Sequence, residues 1–275
     1  YSDSCYIFYD SNSTNKSQYQ IVSSGDIVIP LEAAERAGYT FKFWSENPAA
    51  DPEDSGEAFD FSAPITESVT LYAIWQAKGV GFQLAFWVEK ENFTGDPGTD
   101  INNYSYCSSV TLGTGAGYYA GQALSIDQIK NLAGNFYDSH ASSSNDLKYS
   151  EFAFTKEATL KGDGTTVLNV YYKRIEFTLQ FKLGDSAAKI VDPEGNVYTD
   201  ASGKYYTSKG KYGTISDTLI PKFEWIEHSS KVVGHWSFGS GKNVGATDKL
   251  FLVGIIPSDY RTNRVLTATP SWLER

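Results

Sequence analysis

Two segments with the alternating pattern of half-buried strands constrain the fold of this 275-residue chain more than any other feature. The first is Gly38-Tyr-Thr-Phe-Lys-Phe-Trp44, and the second, whose tryptophan lies 31 residues after Trp44, is Leu71-Tyr-Ala-Ile-Trp75. Large side chains at every second position predict strands that turn one face toward a core. An acidic Pro/Gly loop, 51–56, and the short run Phe59-Asp-Phe61 lie between them. The spacing predicts a small sheet closed by two tryptophan-bearing strands.

Similar alternation recurs along the chain and predicts three modules, residues 1–78, 79–174 and 175–275. The middle module contains the clearest helix signal. Ser125-Ile-Asp-Gln128 has the form of a capping box, which predicts a helix start, and Gly134 predicts its end. With a high aromatic content of 15% and few other helical patterns, the composition indicates an α+β, β-rich fold.

Further elements follow from local signals. The run Leu31-Glu-Ala-Ala-Glu-Arg-Ala37 predicts one or two helical turns, because Gly38 is a good C-terminal cap. Lys161-Gly-Asp-Gly164 predicts a hairpin turn, since its Asp-Gly pair suits positive φ angles. Other strands are predicted at residues 5–9, 19–22, 82–88, 104–112, 151–160, 165–172 and 176–181.

The third module echoes the tryptophan pattern of the first. Val232-Val-Gly-His-Trp236 precedes Ser237, and Val265-Leu-Thr-Ala268 precedes Trp272, as in the FKFWS and TLYA-x-W runs of the first module. The paired tryptophans are 36 residues apart instead of 31. Repetition of a unit without catalytic groups indicates a divergent copy.

The charge of the chain excludes some partners. The net charge is −10 and the pI is about 4.8, which argues against nucleic acid or an anionic membrane. The charge is uneven, because residues 1–78 carry 12 acidic and 4 basic side chains. No run of about 18 apolar residues occurs, so we expect no membrane insertion of this segment.

Residues 3–76 resemble the internalin-B type B-repeat (Listeria–Bacteroides repeat), a β-grasp-like module of bacterial cell-surface proteins. That repeat reads roughly GYTF-x-GW, an acidic loop, an aromatic-Asp-Phe run with Pro-Ile-Thr, and TLYA-x-W; here Phe43 replaces the glycine before the tryptophan. The run 162–174 resembles the closing hairpin of mucin-binding (MucBP-type) modules of adhesins. The resemblance implies tandem small β-grasp-like modules arranged as an elongated rod.

The function implied by the resemblance is that of a non-catalytic extracellular segment of a Gram-positive cell-surface or cell-wall protein. It would act as an adhesive binding region or as a spacer stalk. We expect a monomer whose partner is a protein or glycan of a host or neighbouring cell. Because the chain begins at Tyr1 without methionine or a signal peptide, we interpret it as an excised piece of a longer secreted protein.

The alternative hypothesis is a carbohydrate-binding module of a secreted multidomain enzyme. Aromatic rings in loops can stack on the apolar faces of sugars, whereas aromatic residues that alternate along strands belong to cores. The candidate ligand-binding residues in loops are Tyr118, Tyr119, Tyr205 and Tyr206.

The sequence contains no motif that predicts a catalytic residue, metal ligand or cofactor. His140, His228 and His235 are scattered, without metal-ligand spacing or an activated nucleophile nearby. Gly115-Ala-Gly-Tyr-Tyr-Ala120 satisfies a dinucleotide fingerprint, but the predicted helix begins only after Ser125, so the glycines do not open a helix.

Three covalent or ionic features remain open at this level. The acidic loop at 51–60 is interpreted as a solvated hairpin loop, with weak calcium binding as the alternative, because Ser62 stands where an EF-hand needs an acid. Cys5 and Cys107 are expected to be unpaired thiols, with an interdomain disulfide as the alternative. Lysines and asparagines are plentiful enough for an intramolecular isopeptide bond, although no motif singles one out.

Overall fold

The computed structural model describes residues 3–213, 215–216, 220–221, 226–239, 241–246, 250–251 and 254–275. Strands predominate in it. The chain divides into two compact units. One unit contains the chain up to Ala85 with Ser109–Leu132 and Thr155–Asn169, and the other contains Phe86–Ser108, Ala133–Phe154 and Val170–Arg275.

The strands and helices are numbered in chain order. The strands are β1 (Ser4–Asp10), β2 (Gln18–Ser23), β3 (Tyr39–Ser45), β4 (Val69–Ala77), β5 (Phe82–Glu89), β6 (Tyr104–Leu112), β7 (Ala123–Leu124), β8 (Ser150–Thr155), β9 (Ala158–Thr159), β10 (Val167–Arg174), β11 (Glu176–Phe181), β12 (Lys189–Val191), β13 (Val197–Tyr198), β14 (Tyr206–Lys211), β15 (Ile215–Ser216), β16 (Ile226–Glu227), β17 (Lys231–Ser237), β18 (Asn243–Gly245), β19 (Leu250–Phe251) and β20 (Val265–Glu274). The helices are α1 (Ile126–Ala141) and α2 (Asn145–Lys148), with single 3-10 turns at Ser55–Glu57, Ile101–Asn103 and Asp200–Ser202.

The first sheet has the strand order β2-β1-β4-β3. Its central strands β1 and β4 are parallel, and both outer pairs are antiparallel. A bulge interrupts the pairing of β3 with β4 between Phe41 and Phe43, so that one extra residue, Lys42, is accommodated. The strands predicted in this region are confirmed.

Two tryptophans close the core of the first sheet. The rings of Tyr9 and Trp44 meet edge to face with centroids 4.8 Å apart. The indole Nε1 of Trp44 donates to the carbonyl of Leu31 at 3.0 Å, and that of Trp75 donates to the carbonyl of Ser11 at 2.9 Å. The buried indole of Trp44 and the partly buried indole of Trp75 therefore each have a hydrogen-bond acceptor, as a polar group removed from water requires.

The predicted helical turns at residues 31–37 are wrong, because this segment is not helical. Leu31 and Ala33 both pack against the core of the first sheet. Residues two apart face the same side only in an extended chain, whereas a helix brings together residues three or four apart. Contact with the core therefore overrides the helix propensity of the Glu-Ala-Ala-Glu sequence.

The middle sheet has the order β6-β5-β10-β8. The predicted capping box is confirmed: Ser125 N donates to Gln128 Oε1 at 2.8 Å, and Gln128 N donates to Ser125 Oγ at 3.2 Å. The predicted end at Gly134 is wrong, since α1 continues to Ala141. Tyr137 and Ala141 are buried beyond the glycine. Their burial offsets the cost of about 1 kcal/mol for a glycine inside a helix.

The third sheet has the order β14-β11-β20-β17-β18, and its central strands β11 and β20 are parallel. A bulge between Val233 and His235 accommodates Gly234, two residues before Trp236. The bulge at Lys42 in the first sheet has the same position relative to Trp44. The rings of Phe181 and Trp236 meet edge to face at 5.0 Å. Smaller sheets are formed by β13-β12-β16, β15-β19 and β7-β9.

A close backbone approach joins the turn before β3 to the hairpin turn at residues 161–164 within the first unit. Gly38 has a φ of +81°, and a Cβ placed on it would lie 2.3 Å from the Cα of Gly162. A Cβ on Gly162 would lie 1.9 Å from the carbonyl oxygen of Ala37. Both positions therefore require glycine. The backbone of Lys78 continues this contact, since its N donates to Gly38 O and its O accepts from Ala120 N.

Replacing Gly38 with alanine is expected to lower the free energy of unfolding by about 2–4 kcal/mol, because the methyl group strains the backbone and displaces Gly162. The matched control is Gly25→Ala, since Gly25 also has a positive φ of +96° but has open space around its Cβ position. We expect the control to lose only about 1–2 kcal/mol. Urea unfolding of both variants measures the difference. Equal losses would contradict a role for the close approach.

A buried imidazole and an ammonium group hold a carboxylate in the second unit. Asp185 accepts the backbone N–H of Ala187 at 2.9 Å, and its Oδ2 lies 3.1 Å from His228 Nε2 and 3.3 Å from Lys231 Nζ. These hydrogen bonds, the one from Ala187 first, lower the pKa of Asp185 from 3.8 to about 2. The charged form is therefore favoured by the folded chain.

The Asp185→Asn variant is expected to be less stable than the wild type at neutral pH. A lowered carboxyl pKa contributes stability above the unfolded value and loses it as the pH falls through the folded value. The difference between the two proteins should therefore shrink as the pH falls from about 4 to about 2. Thermal denaturation at successive pH values measures it. A difference that stays constant across this window would contradict the assignment.

Candidate functional site

An exposed apolar surface lies on the outer face of the first sheet. Tyr6 and Phe8 of β1 are 42% and 47% exposed, and Tyr19 and Ile21 of β2 are 63% and 56% exposed. Register pairs Tyr6 with Ile21 and Phe8 with Tyr19, so the four side chains form two adjacent cross-strand pairs. We call these four residues the apolar strip.

The alternation of β1 explains why the strip is exposed. Cys5, Ile7 and Tyr9 point into the core, and therefore Tyr6 and Phe8 between them must point outward. The rings of Tyr6 and Phe8 stack with centroids 6.1 Å apart. Both faces of this strand thus carry large apolar side chains, although only one face is covered by the core.

The strip reaches an edge of its sheet. β2 is the edge strand, and its sequence, Gln-Tyr-Gln-Ile-Val-Ser, contains neither a charged residue nor a proline. Edge strands of soluble proteins are usually protected by charges, prolines or bulges, because their free backbone groups pair readily with another strand. β2 has the backbone and side chains that would accept an added strand.

Acidic residues lie where the chain enters β1 and β4 and leaves β2, at one end of the strip. Ser24, directly after β2, donates its N–H to the carbonyl of Asp3 at 2.8 Å. Its hydroxyl donates to the carbonyl of Thr66 at 3.5 Å, next to Glu67. Asp3, Asp26 and Glu67 are all exposed. The strip therefore combines an uncharged apolar centre with a negative end.

The tyrosines predicted from the Gly-rich loop differ in exposure. Tyr118 is half-buried, and its ring packs edge to face on Phe82 with centroids 5.1 Å apart. Tyr119 is 51% exposed, and its backbone N donates to Gln122 Oε1 at 3.1 Å. Tyr119 thus offers its ring to solvent, whereas Tyr118 supports the loop.

The second tyrosine pair is more enclosed. Tyr206 packs on Phe181 and Tyr198, with ring centroids 6.0 and 5.8 Å away, and belongs to the shell of the core. Tyr205 is half-buried, with Lys182 Nζ 5.1 Å from its ring centroid. A ligand role for Tyr118, Tyr119, Tyr205 and Tyr206 stays a prediction.

The histidines occupy separate sites. Ser108 Oγ and His140 Nδ1 are 2.8 Å apart, but no hydrogen bond to the other ring nitrogen of His140 occurs in the described part of the chain. His228 contacts Asp185, as described above, and His235 lies in β17 opposite Gly245. The described residues contain no group of three His, Cys, Asp or Glu side chains that could hold a metal ion.

The remaining motifs have structural explanations. The glycines of 115–120 lie in turns, and Gly117 has a φ of +87°, so no helix begins there. In the acidic loop, Asp51, Asp54 and Asp60 accept backbone N–H groups of the loop itself. Cys5 and Cys107 are both free thiols, so the disulfide alternative does not hold here.

The sequence analysis missed a buried ionic cluster in the second unit. Glu89 is 1% exposed; its Oε2 accepts Arg174 N at 2.8 Å, and its other carboxylate oxygen pairs with Lys211 Nζ. Arg174 Nε donates to the carbonyl of Glu89 at 2.9 Å, and its Nη1 lies 3.0 Å from Asp146 Oδ1. All the charges have partners, which indicates a structural cluster that links β5, β10 and β14.

The variant Glu89→Gln is expected to lower the free energy of unfolding by about 3–5 kcal/mol, because it leaves the largely buried ammonium of Lys211 without its counter-charge. The control is Glu176→Gln, which breaks the exposed pair with Lys209 at 3.8 Å. We expect a control loss below about 1 kcal/mol. Chemical denaturation compares the two. A loss no larger than that of the control would show that the cluster does not depend on its negative charge.

Comparison with known proteins identifies one segment. Residues 6–74 match the Listeria-Bacteroides repeat domain family. No curated protein matches the sequence. Among solved structures, the Bacillus anthracis TIE protein aligns with 98% of this chain and 50% of that chain, at 10% identity and a TM-score of 0.26. This chain spans about half the length of that structure, and so loose a superposition assigns no fold.

The family match at residues 6–74 supports the bacterial surface-protein repeat that was predicted at residues 3–76. Repeats of this family are typical of extracellular surface proteins and are generally non-catalytic. In the part of the chain that the structure describes, no helix is long and apolar enough to cross a membrane. The internalin-B type, the MucBP-like middle module and the β-grasp fold stay predictions.

Proposed function

We propose that this chain is a non-catalytic adhesive segment of a bacterial surface protein, and that the apolar strip is its contact surface. The exposure of the strip supports this proposal. Of the 14 large apolar residues that are exposed in the described chain, six lie between Tyr6 and Ile29. Concentrated exposed apolar surface is typical of interaction sites.

The partner that suits the strip is an extended protein segment. It would add a strand to the free edge of β2 through backbone hydrogen bonds and place alternate apolar side chains over Tyr19 and Ile21. Basic side chains at one end would meet the carboxylates of Asp3, Asp26 and Glu67. A second copy suits it less well, since residues 1–78 carry a net charge of −8 and would repel each other. We therefore propose that the chain is monomeric.

The architecture proposed for the adhesive segment is a row of three β-grasp-like modules, residues 1–78, 79–174 and 175–275, arranged as an elongated rod. The strand orders support it, because the three larger sheets share one arrangement. The first strand of each sheet in sequence (β1, β5 or β11) lies between the next one (β2, β6 or β14) and the last one (β4, β10 or β20). On its other side, that last strand pairs with β3, β8 or β17. The first and third modules would be B-repeat-like and the middle one MucBP-like. The parent protein would be attached to a Gram-positive cell wall.

A spacer stalk is the second candidate function. The close glycine contact of Gly38 with Gly162 favours it, because this contact leaves little freedom between the first sheet and the hairpin turn that it touches. A carbohydrate-binding module of a secreted enzyme is a further alternative, for which Tyr119 is the best-placed of the four candidate tyrosines.

The double variant Tyr19→Ser with Ile21→Thr tests the adhesive proposal. The probe is a ten-residue peptide that alternates valine with threonine and carries two arginines at each end. We expect it to bind the wild-type chain and to slow hydrogen exchange of the β2 amides, and we expect the variant to bind at least about tenfold more weakly.

Matched controls distinguish binding at the strip from nonspecific hydrophobic binding. The variant Val197→Thr with Val265→Thr removes exposed apolar strand residues elsewhere, and it should bind like the wild type. A peptide with glutamates in place of the arginines, or with a central proline, should bind weakly. Equal binding by the strip variant and the control variant would refute the strip as contact surface. A chain that binds neither peptides nor cells would instead be a spacer.

A further inference from the structure

A second candidate site lies in the first unit, beside the turn that precedes β3. It is a cavity of about 500 Å³. Its wall consists of residues 33–39 together with Phe41, Trp75 and Lys78. We call it the Arg36 cavity. Its volume falls within the range of small-molecule sites, roughly 300–1,000 Å³.

The Arg36 guanidinium lies against aromatic rings and has no counter-charge among the residues that the structure describes. Its Cζ lies 3.8 Å from the ring centroid of Tyr39 and 5.7 Å from that of Trp75. Among the described residues, no carboxylate forms an ion pair with it. These contacts engage the positive charge of the guanidinium with the rings and do not use its N–H donors, which are left for an acceptor.

The cavity concentrates positive charge in an acidic segment. Residues 1–78 contain four basic side chains, Lys16, Arg36, Lys42 and Lys78, and two of these line the cavity. One acid, Glu35, lines it as well, so its wall carries one net positive charge. Because the segment as a whole has a net charge of −8 and repels anions, an anion would be held here only through direct contact with these two cations.

The wall of the cavity is fixed before any ligand arrives. The Trp75 indole is held by its hydrogen bond to Ser11 O, and the Glu35 carbonyl accepts from Asn15 Nδ2 at 2.9 Å. Tyr39 packs against Gly121, since a Cβ on Gly121 would lie 2.2 Å from the Tyr39 hydroxyl oxygen. Such preorganisation lowers the entropy cost of binding.

We infer that the Arg36 cavity binds a carboxylate-bearing sugar. The planar fork of an arginine matches a carboxylate through two parallel hydrogen bonds. The aromatic rings of Phe41 and Trp75 suit the apolar C–H face of a pyranose, and the volume accommodates one or two sugar rings. None of the lining residues belongs to the apolar strip, so this site is independent of the adhesive surface.

The test is a titration of the full chain, followed by NMR and calorimetry, with three probes. Methyl β-D-glucuronide carries both features, methyl β-D-glucoside lacks the carboxylate, and acetate lacks the ring. We expect the glucuronide to bind at least about tenfold more tightly than either of the others, because a charge-assisted pair and ring contact both contribute. Affinity should fall with added salt.

Three variants complete the test. Arg36→Gln should weaken glucuronide binding to the level of the glucoside, and Glu35→Gln should strengthen it, since one removes the cation and the other a like charge. Lys42→Gln is the matched control, because Lys42 belongs to the same segment but does not line the cavity, and it should leave binding unchanged. Circular dichroism establishes that each variant is folded.

Several outcomes overturn the inference. Equal affinity for glucuronide and glucoside would show that the carboxylate does not contribute to binding. Equal affinity for glucuronide and acetate would show that the sugar ring does not contribute. No effect of Arg36→Gln, or an effect of equal size for Lys42→Gln, would place the ligand elsewhere. Strip variants do not enter this experiment, so its failure leaves the adhesive proposal standing, and the reverse also holds.

Discussion

The architecture depends on one kind of aromatic contact. It joins a ring near the end of the first strand of a sheet to a tryptophan two strands away. Tyr9 meets Trp44 in the first sheet, and Phe181 meets Trp236 in the third. In both sheets the parallel pair consists of the first and the last strand in sequence, β1 with β4 and β11 with β20. The chain must therefore close a long loop before these strands can pair. Burial of large rings, worth about 1.5–3 kcal/mol for each, offsets that loss of entropy.

The elements that the sequence predicted well are those in which local signals and tertiary contacts agree. The prediction of residues 104–112 as a strand is matched by β6, and the capping box at Ser125 starts α1 as expected. The helical turns at 31–37 failed because Leu31 and Ala33 are held by the core in extended form. The end at Gly134 failed because burial of Tyr137 continues the helix. Neither contact is visible in a local pattern.

The candidate sites were harder to predict. In Cys5-Tyr-Ile-Phe-Tyr9 every residue is large or apolar, and alternation cannot tell which face of such a strand is covered. The apolar strip was therefore not predicted. The ionic cluster joins Glu89 to Arg174 and Lys211, which are 85 and 122 residues further along the chain. Arg36 lies in the segment interpreted as helical, where its contacts with the rings of Tyr39 and Trp75 have no sequence signal.

The parallel pairing of β1 with β4 has a mechanical consequence. β1 is the first strand of its sheet and β4 is the last, and β11 and β20 have the same relation. Tension applied to the two ends of such a segment pulls these neighbours in opposite directions along their length. The hydrogen bonds between them are then sheared together instead of being opened one after another. Single-molecule stretching would register this geometry as a high, abrupt rupture force, a useful property for a tether exposed to flow.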